Sequence, residues 1–224
     1  RLHRLSMTPG AEVLAAASDS CLNTVSFIDA VQQRFQAIFR ATAEYPMLAG
    51  IHQFLESCFQ PEMAAVFSEF KSKTSDAEIK NKHNSHCCYT LSPSDFGVHN
   101  CLKSKTGKLF FIDFEYFGWD AASKMISDFF HHPSMQLSAK QMKMFLEYFI
   151  DASQMEDLAL EIETVHKIVG LKWVLLFLNV CLPEVMARKQ FARTITSQDE
   201  LVAAQLLKAE EKLSEIKRFS HLNY

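Results

Sequence analysis

The sequence predicts a mainly α-helical fold that carries one small β-hairpin. Three observations lead there. Long stretches repeat apolar residues at helical spacing, as at Val25, Phe27, Ile28, Val31, Phe35, Ile38 and Phe39. Helix-start chemistry recurs, with Ser138 ahead of Gln141 and Ser197 ahead of Glu200 in capping-box order. Only one pair of short runs, Val98 to Leu102 and Lys108 to Asp113, flanks a tight turn, Lys103-Ser104-Lys105-Thr106-Gly107.

The elements follow in chain order. Pro9-Gly10 is a turn, and a short helix is expected near Ala11–Ala17. Asn23-Thr24 caps a helix running to about Ala43. Pro46 to Cys58 and Glu62 to about Phe70 read as two helices separated at Gln60-Pro61, because proline disrupts a helix interior. The polar stretch from Lys71 to Ser85 reads as a loop with a short helix around Asp76–Lys80. After the hairpin the chain is helical again, over about Asp120–His131, Ala139–Asp151, Met155–Cys181, Glu184–Phe191 and Gln198–Phe219. His131-His132 before Pro133 marks a helix C-terminus, where imidazolium would suit the dipole.

Composition narrows the function classes. The chain has 224 residues, 48% of them hydrophobic, and neither repeat nor linker divides it, so residues 1–224 are read as one domain. Its net charge is −3 and no basic stripe occurs, which argues against nucleic acid and anionic membrane surfaces as partners. The 19 Phe residues are expected to fill helix interfaces. The most apolar run, Ile168 to Leu182, contains Lys172 and Asn179 and reads as a buried core helix. No signal-peptide pattern opens the chain, and Cys21, Cys58, Cys87, Cys88, Cys101 and Cys181 form no compact disulfide pattern. They are expected as free thiols in a reducing cytoplasm. His83, His86, Cys87 and Cys88, with His99 and Cys101 nearby, match no standard zinc spacing, and small core cysteines are the favoured reading.

The chemistry concentrates between Leu91 and Pro133. Asp95 and Asn100 stand five apart in Leu91-Ser92-Pro93-Ser94-Asp95-Phe96-Gly97-Val98-His99-Asn100, and Asp113 follows in Phe110-Phe111-Ile112-Asp113-Phe114-Glu115. Asp, then Asn, then a second Asp ending an apolar strand is the order in which phosphoryl-transfer sites are assembled. The first Asp takes the proton of an attacking hydroxyl; the Asn and the second Asp hold Mg²⁺ on nucleotide phosphates. Each residue alone has a plainer reading, Asp95 as a turn residue bonding its own backbone and Asn100 as a strand-end cap. Asp113 is expected at the edge of an apolar core, where a carboxylate needs a cation or hydrogen bonds. Glu115 either shares that cleft or is a solvated loop carboxylate. Asp120 reads first as the N-cap of the next helix.

The stretch from Leu91 to about Pro133 resembles the aminoglycoside phosphotransferase and choline kinase superfamily. Leu91–Asn100 resembles the catalytic loop H-x-D-x-x-x-x-N, with Pro93 at the His position, a residue that in protein kinases supports loop geometry without reacting. Asp113-Phe114-Glu115 resembles the metal-binding segment. Trp119-Asp120-Ala121-Ala122-Ser123-Lys124-Met125-Ile126-Ser127-Asp128 resembles the W-D-D-P-x-x-D-like segment, with Ala121-Ala122 where Asp-Pro is usual. Leu171-Lys172-Trp173 with Asn179 is similar to poorly characterised bacterial members.

The resemblance implies a protein-kinase-like C-terminal (large) lobe. Residues 1–90 would be its leading helices, 91–133 the catalytic loop, hairpin and metal-binding segment, and 134–224 its C-terminal helices. It implies an ATP- and Mg²⁺-dependent phosphotransferase acting on a small-molecule hydroxyl. Asp95 would be catalytic, Asn100 and Asp113 would bind metal and nucleotide, and Asp128 would support the catalytic loop. Glu115 and Asp120 are further candidates for substrate contact or support. No G-x-G and no Val-Ala-Ile-Lys-like strand occurs, so the nucleotide-gripping N-terminal lobe is expected elsewhere, in the same protein or another chain. The alternative is a non-catalytic kinase-like binding or regulatory module.

Overall fold

A computed structural model describes residues 2–74, 89–191 and 197–219. The short helix expected around 76–80 lies outside them, as do His83, His86, Cys87 and Cys88. The described chain is mainly helical, with two small antiparallel strand pairs.

Helix α1 (Leu2–Ser6) precedes Gly10, whose φ of +92° permits the turn into a 3-10 segment at Ala11–Val13. That segment is shorter than the helix expected near Ala11–Ala17. Helix α2 (Thr24–Glu44) begins at Asn23, which accepts from the Ser26 N–H while the Ser26 side chain accepts from the Asn23 N–H. Its inner stripe is Phe27, Val31, Phe35, Ile38 and Ala41. The break expected at Gln60-Pro61 is absent. Instead α3 (Ala49–Phe54) runs through a π-helical turn at Leu55–Phe59 into α4 (Gln60–Lys73). Pro61 has no N–H for the carbonyl four residues earlier, and the widened turn directly before it accommodates that mismatch.

Strand β1 (Tyr89–Ser92) pairs antiparallel with β4 (Gly118–Ala121), in the register Thr90 opposite Asp120 and Leu91 opposite Trp119. The sequence pattern gave no sign of this pair. Ala15–Ala17 lies along the other edge of β4, bonded through Trp119 N to Ala15 O and Ala17 N to Trp119 O, both at 2.9 Å. Gly118 permits that approach, since a Cβ there would collide with the Ala15 carbonyl and the Ala17 amide. The expected hairpin forms as β2 (Cys101–Lys103) against β3 (Leu109–Phe111), turning at Gly107 with φ +82°. Val98–Asn100 is a 3-10 turn rather than strand.

Helices α5 (Ala122–His131), α6 (Ala139–Ser153), α7 (Leu158–Phe177), α8 (Pro183–Phe191) and α9 (Gln198–Arg218) complete the chain. Ser138 and Gln141 cap α6 reciprocally, and Ser197 accepts from the Glu200 N–H at the start of α9. Two apolar clusters share α7. Leu158 and Ile162 join Met125, Ile126, Phe129, Phe130 and Leu146, while Ile168, Leu171, Val174 and Leu175 join the inner faces of α2, α3, α4 and α9. The stretch Leu158–Cys181 is long and apolar enough to cross a bilayer by length and composition, but 67% of its apolar window is buried inside the fold, as a core helix is. Every residue of α5 is buried, which forces its polar side chains to find partners within the protein.

Candidate functional site

The loop between β1 and β2 holds its functional residues in a strained turn. The Asp95 N–H bonds the Pro93 carbonyl at 2.9 Å, closing a three-residue γ-turn with Ser94 at its centre at φ +68°. Ser94 is tied down by Oγ to the Ser18 carbonyl at 2.7 Å and by its N–H to Ser92 Oγ at 3.0 Å. Strain of this kind persists where surrounding contacts over-determine it, and it clusters at functional sites. Asn100 donates from Nδ2 to Asp95 O at 3.0 Å and to Asp95 Oδ2 at 3.2 Å. His99 Nε2 lies 3.1 Å from Asp95 Oδ1, and His132 Nε2 3.9 Å from the same oxygen. The Asp95 side chain stays half exposed.

Asp113 also sits at positive φ, +65°, two residues beyond the end of β3. The structure corrects its expected surroundings. Leu109, Phe110, Phe111, Ile112 and Phe114 are all exposed, so the strand is a surface ribbon and not the edge of an apolar core. The Phe111 ring, stacked on Phe96 at 5.5 Å, ties β3 inward. Ile112 N bonds Asn100 O at 3.0 Å, so Asn100 and Ile112 sit opposite each other and Asp113 lies one step further on. The Asp113 carboxylate has no hydrogen bond or ion pair among the described residues. Glu115 is exposed and accepts from the Tyr116 hydroxyl.

Asp120 is not an N-cap. It lies in β4, fully buried, and α5 starts from Ala121 without a side-chain cap. Asp120 Oδ1 accepts from the N–H groups of Cys21 at 3.0 Å and Ala121 at 2.9 Å, and Oδ2 binds Lys124 Nζ at 2.9 Å. Lys124 Nζ continues to Asp128 Oδ2 at 3.0 Å. Asp128 Oδ1 meets Lys172 Nζ at 2.5 Å and the Trp173 indole N–H at 2.9 Å. Two carboxylates and two ammonium groups thus form a buried, charge-balanced chain from β4 to α7. Burial alone would raise Asp128, but Lys124 and Lys172 outweigh it and hold the carboxyl well below the usual range. Burial would lower Lys124, but Asp128 and Asp120 outweigh it and hold the ammonium firmly charged. Among the described residues the Asp128 carboxylate bonds these partners and not the Leu91–Asn100 loop it was expected to support.

This chain floors a cleft of about 150 Å³ lined also by Asp19, Ser94, Asp95, His132 and Trp173. Asp19 is another residue at positive φ, +55°, and pairs with Arg34 at 3.2 Å. A larger groove of about 700 Å³ is mostly apolar, with Phe96, Phe111, Phe114, Phe145 and Phe149 in its walls and no carboxylate among them. The carboxylates of Asp19, Asp95 and Asp128 and the ammonium groups of Lys124 and Lys172 line the smaller cleft. Burial pushes the Cys21 and Cys181 thiols up to about 12, away from thiolate chemistry, and Cys21, Cys58, Cys101 and Cys181 are free.

Lys124, Lys172, Asp19 and the two imidazoles were not picked out as site residues from the sequence. A signal existed for the first, because Asp120, Lys124 and Asp128 are each four apart and share one helical stripe. Lys172 was visible as a charge inside the most apolar run, which requires a buried partner. His131 is not the imidazolium expected at the end of α5: burial holds it neutral, pulled down to about 3, with Nε2 on the His166 carbonyl at 2.9 Å. Comparisons with protein-family models, curated proteins and solved structures return no match to this chain.

Proposed function

We propose that this chain is the helical large lobe of an ATP-dependent phosphotransferase of the aminoglycoside phosphotransferase and choline kinase kind, acting on a small-molecule hydroxyl. The observation that carries the reading is the pairing of Asp95 with Asn100 beside a polar cleft, in the order the motif requires. Asp95 aligns and deprotonates the acceptor hydroxyl. Asn100 spends its amide nitrogen on Asp95, which leaves its carbonyl oxygen for a cation. Asp113 offers an exposed carboxylate with no protein partner among the described residues. Oxygen donors of this type suit Mg²⁺, so the residues present fit the implied metal. When bound, Mg²⁺ would neutralise charge on the transferred phosphoryl group. Asp120, Asp128, Lys124 and Lys172 together brace the cleft floor without adding net charge.

A paramagnetic titration tests this reading. Mn²⁺ added with ATP should broaden the amide resonances of Asn100 and Asp113 first and leave α9 sharp. Broadening that misses both residues, or spreads evenly over surface carboxylates, overturns the metal assignment. Calorimetry with MgATP should show weak binding, since the chain has no G-x-G loop to cradle the phosphates.

A further inference from the structure

Two imidazoles from different elements converge on one oxygen of Asp95. His99 belongs to the 3-10 turn Val98–Asn100, and His132 caps the C-terminus of α5. Their rings stack 4.0 Å apart and 2° from parallel. His132 is held on two further sides. The ring of Trp173 meets it edge-on at 5.0 Å, and its Nδ1 accepts from the Ser134 N–H at 3.1 Å. The Ser134 bond sets the tautomer, for a nitrogen that accepts cannot carry the proton of a neutral imidazole. The His132 proton is therefore on Nε2, facing Asp95. A carboxylate only accepts, so His99 Nε2 likewise donates to Oδ1. Gly97 makes the arrangement possible: a Cβ there would stand 2.5 Å from His99 Cε1 and Nδ1.

The donor atoms of Asp95, His99 and His132 are close enough together for a metal ion. The ring geometry argues against one. Metal–imidazole bonds lie in the ring plane, and parallel rings aim their Nε2 lone pairs along parallel lines that do not meet. The tautomer also places a proton on His132 Nε2.

We propose that His99 and His132 are a positioning pair for Asp95: His99 donates from Nε2 to Oδ1, His132 holds that ring by stacking on it with its own Nε2–H turned toward the same oxygen at 3.9 Å, and Asn100 fixes Oδ2, so that the carboxylate presents a defined lone pair to the acceptor hydroxyl. The proposal rests on the reading of Asp95 as proton acceptor. His99 from within the motif and His132 from outside it supply the support that Pro93 cannot give. As the new O–P bond forms, the hydroxyl proton passes to Asp95. The bond to the leaving nucleoside diphosphate breaks and takes its electron pair with it. Both imidazoles keep their protons. The charged groups around the same cleft are Asp19, Asp128, Lys124 and Lys172. Burial lowers His132 below the ordinary histidine range; His99 adds to that, and Asp95 and Asp128 oppose it.

The test is ¹⁵N NMR of the ring nitrogens in this chain, its Asp95→Asn variant and its His99→Gln variant, with folding checked by amide spectra. Both imidazoles should show the Nε2–H tautomer at neutral pH. The His132 midpoint should fall in Asp95→Asn by on the order of half a pH unit, the size expected for a charge about 4 Å away in water-like surroundings. In His99→Gln it should rise. An Nδ1–H tautomer at His99, or a His132 midpoint unmoved by both substitutions, overturns the pair. In a phosphotransfer assay of the complete phosphotransferase, with its nucleotide-binding lobe, His99→Ala should lose about tenfold or more in kcat with nucleotide affinity kept, and His99→Gln should recover most of that loss. NMR coupling without transfer by that complete wild-type enzyme would defeat the phosphotransferase reading and leave the clamp; transfer without coupling would defeat the clamp alone.

Discussion

Asn100 folds back over five residues to Asp95, its Nδ2 reaching the Asp95 backbone oxygen at 3.0 Å and Oδ2 at 3.2 Å. One amide group thereby closes the loop and orients the carboxylate that the loop presents. The bond also divides the labour within Asn100, because its donor side serves Asp95 and its acceptor side remains available. Substitutions at the two residues should therefore have different consequences.

In the complete phosphotransferase, Asp95→Asn should reduce kcat by about 10²–10⁴-fold and leave nucleotide affinity nearly unchanged, since a general base acts mainly in the transition state. Asp113→Asn should weaken both rate and Mg²⁺-nucleotide binding. Steady-state kinetics and nucleotide titration of both variants separate the roles. A folded Asp95→Asn enzyme with normal turnover would make Asp95 a turn residue and nothing more.

Asp128 should matter most to stability. Removing it by Asp128→Ala takes the carboxylate partner from Lys172 and leaves Lys124 only Asp120, with both ammonium groups inside the protein at 10% and 2% side-chain exposure. Breaking a buried pair by deleting one partner costs about 3–5 kcal/mol. Urea denaturation measures it. A loss under about 1 kcal/mol would mean that water reaches the network once Asp128 is gone, and that the carboxylate is not what keeps both ammonium groups in place.

Much of this fold was legible because helices announce themselves locally. Asn23, and Ser138 with Gln141, cap the helices they were expected to cap. The hairpin was readable from its glycine turn. The β1–β4 pair was not, because its strands are 25 residues apart, counted from Ser92 to its partner Gly118 with 25 residues between them, and four residues each give little period-two signal. Asp120 was misplaced for the same reason: as a residue preceding a helix it looks like a cap, and only the unseen strand buries it. The motif residues Asp95 and Asn100 were readable together from spacing. The imidazole pair was not, since His132 lies 33 positions after His99 and only the packing of α5 against the loop brings the rings together.

Gly118 should tolerate no side chain. Gly118→Ala would drive a methyl group into the backbone of Ala15–Ala17, which cannot yield without losing the bonds to Trp119. A cost of about 1–3 kcal/mol is expected for overpacking of this kind. Gly50→Ala is the control. It lies in α3, its Cβ would meet only Leu206 Cδ2 at 3.9 Å, and the change should be neutral or stabilise by about 0.5–1 kcal/mol. Thermal melts of the two variants should move apart, and equal melting temperatures would remove the close approach at Gly118 as a constraint.

The last prediction concerns acid. His131 and His166 stack 4.1 Å apart in the core, and burial is the largest cause that keeps both neutral. For His131 the folded value is pulled down to about 3 from 6.5. Between those two values the unfolded chain binds a proton that the folded chain refuses. Stability must then fall as pH drops through that window, by about 1.4 kcal/mol per pH unit for each such histidine. His166 acts in the same direction, and so does the half-buried His132. Asp128 joins below the ordinary carboxylate range: its folded value is depressed, so its contribution is present above about pH 4 and is lost as pH falls further. Urea midpoints measured from neutral pH down to about pH 5 should decline steadily as the unfolded chain takes up these protons. His131→Gln keeps a donor for the His166 carbonyl and should flatten that decline by one proton's share. A wild-type profile that is level across this range would mean that the paired histidines take up protons in the folded protein, and that water or a rearrangement reaches them there.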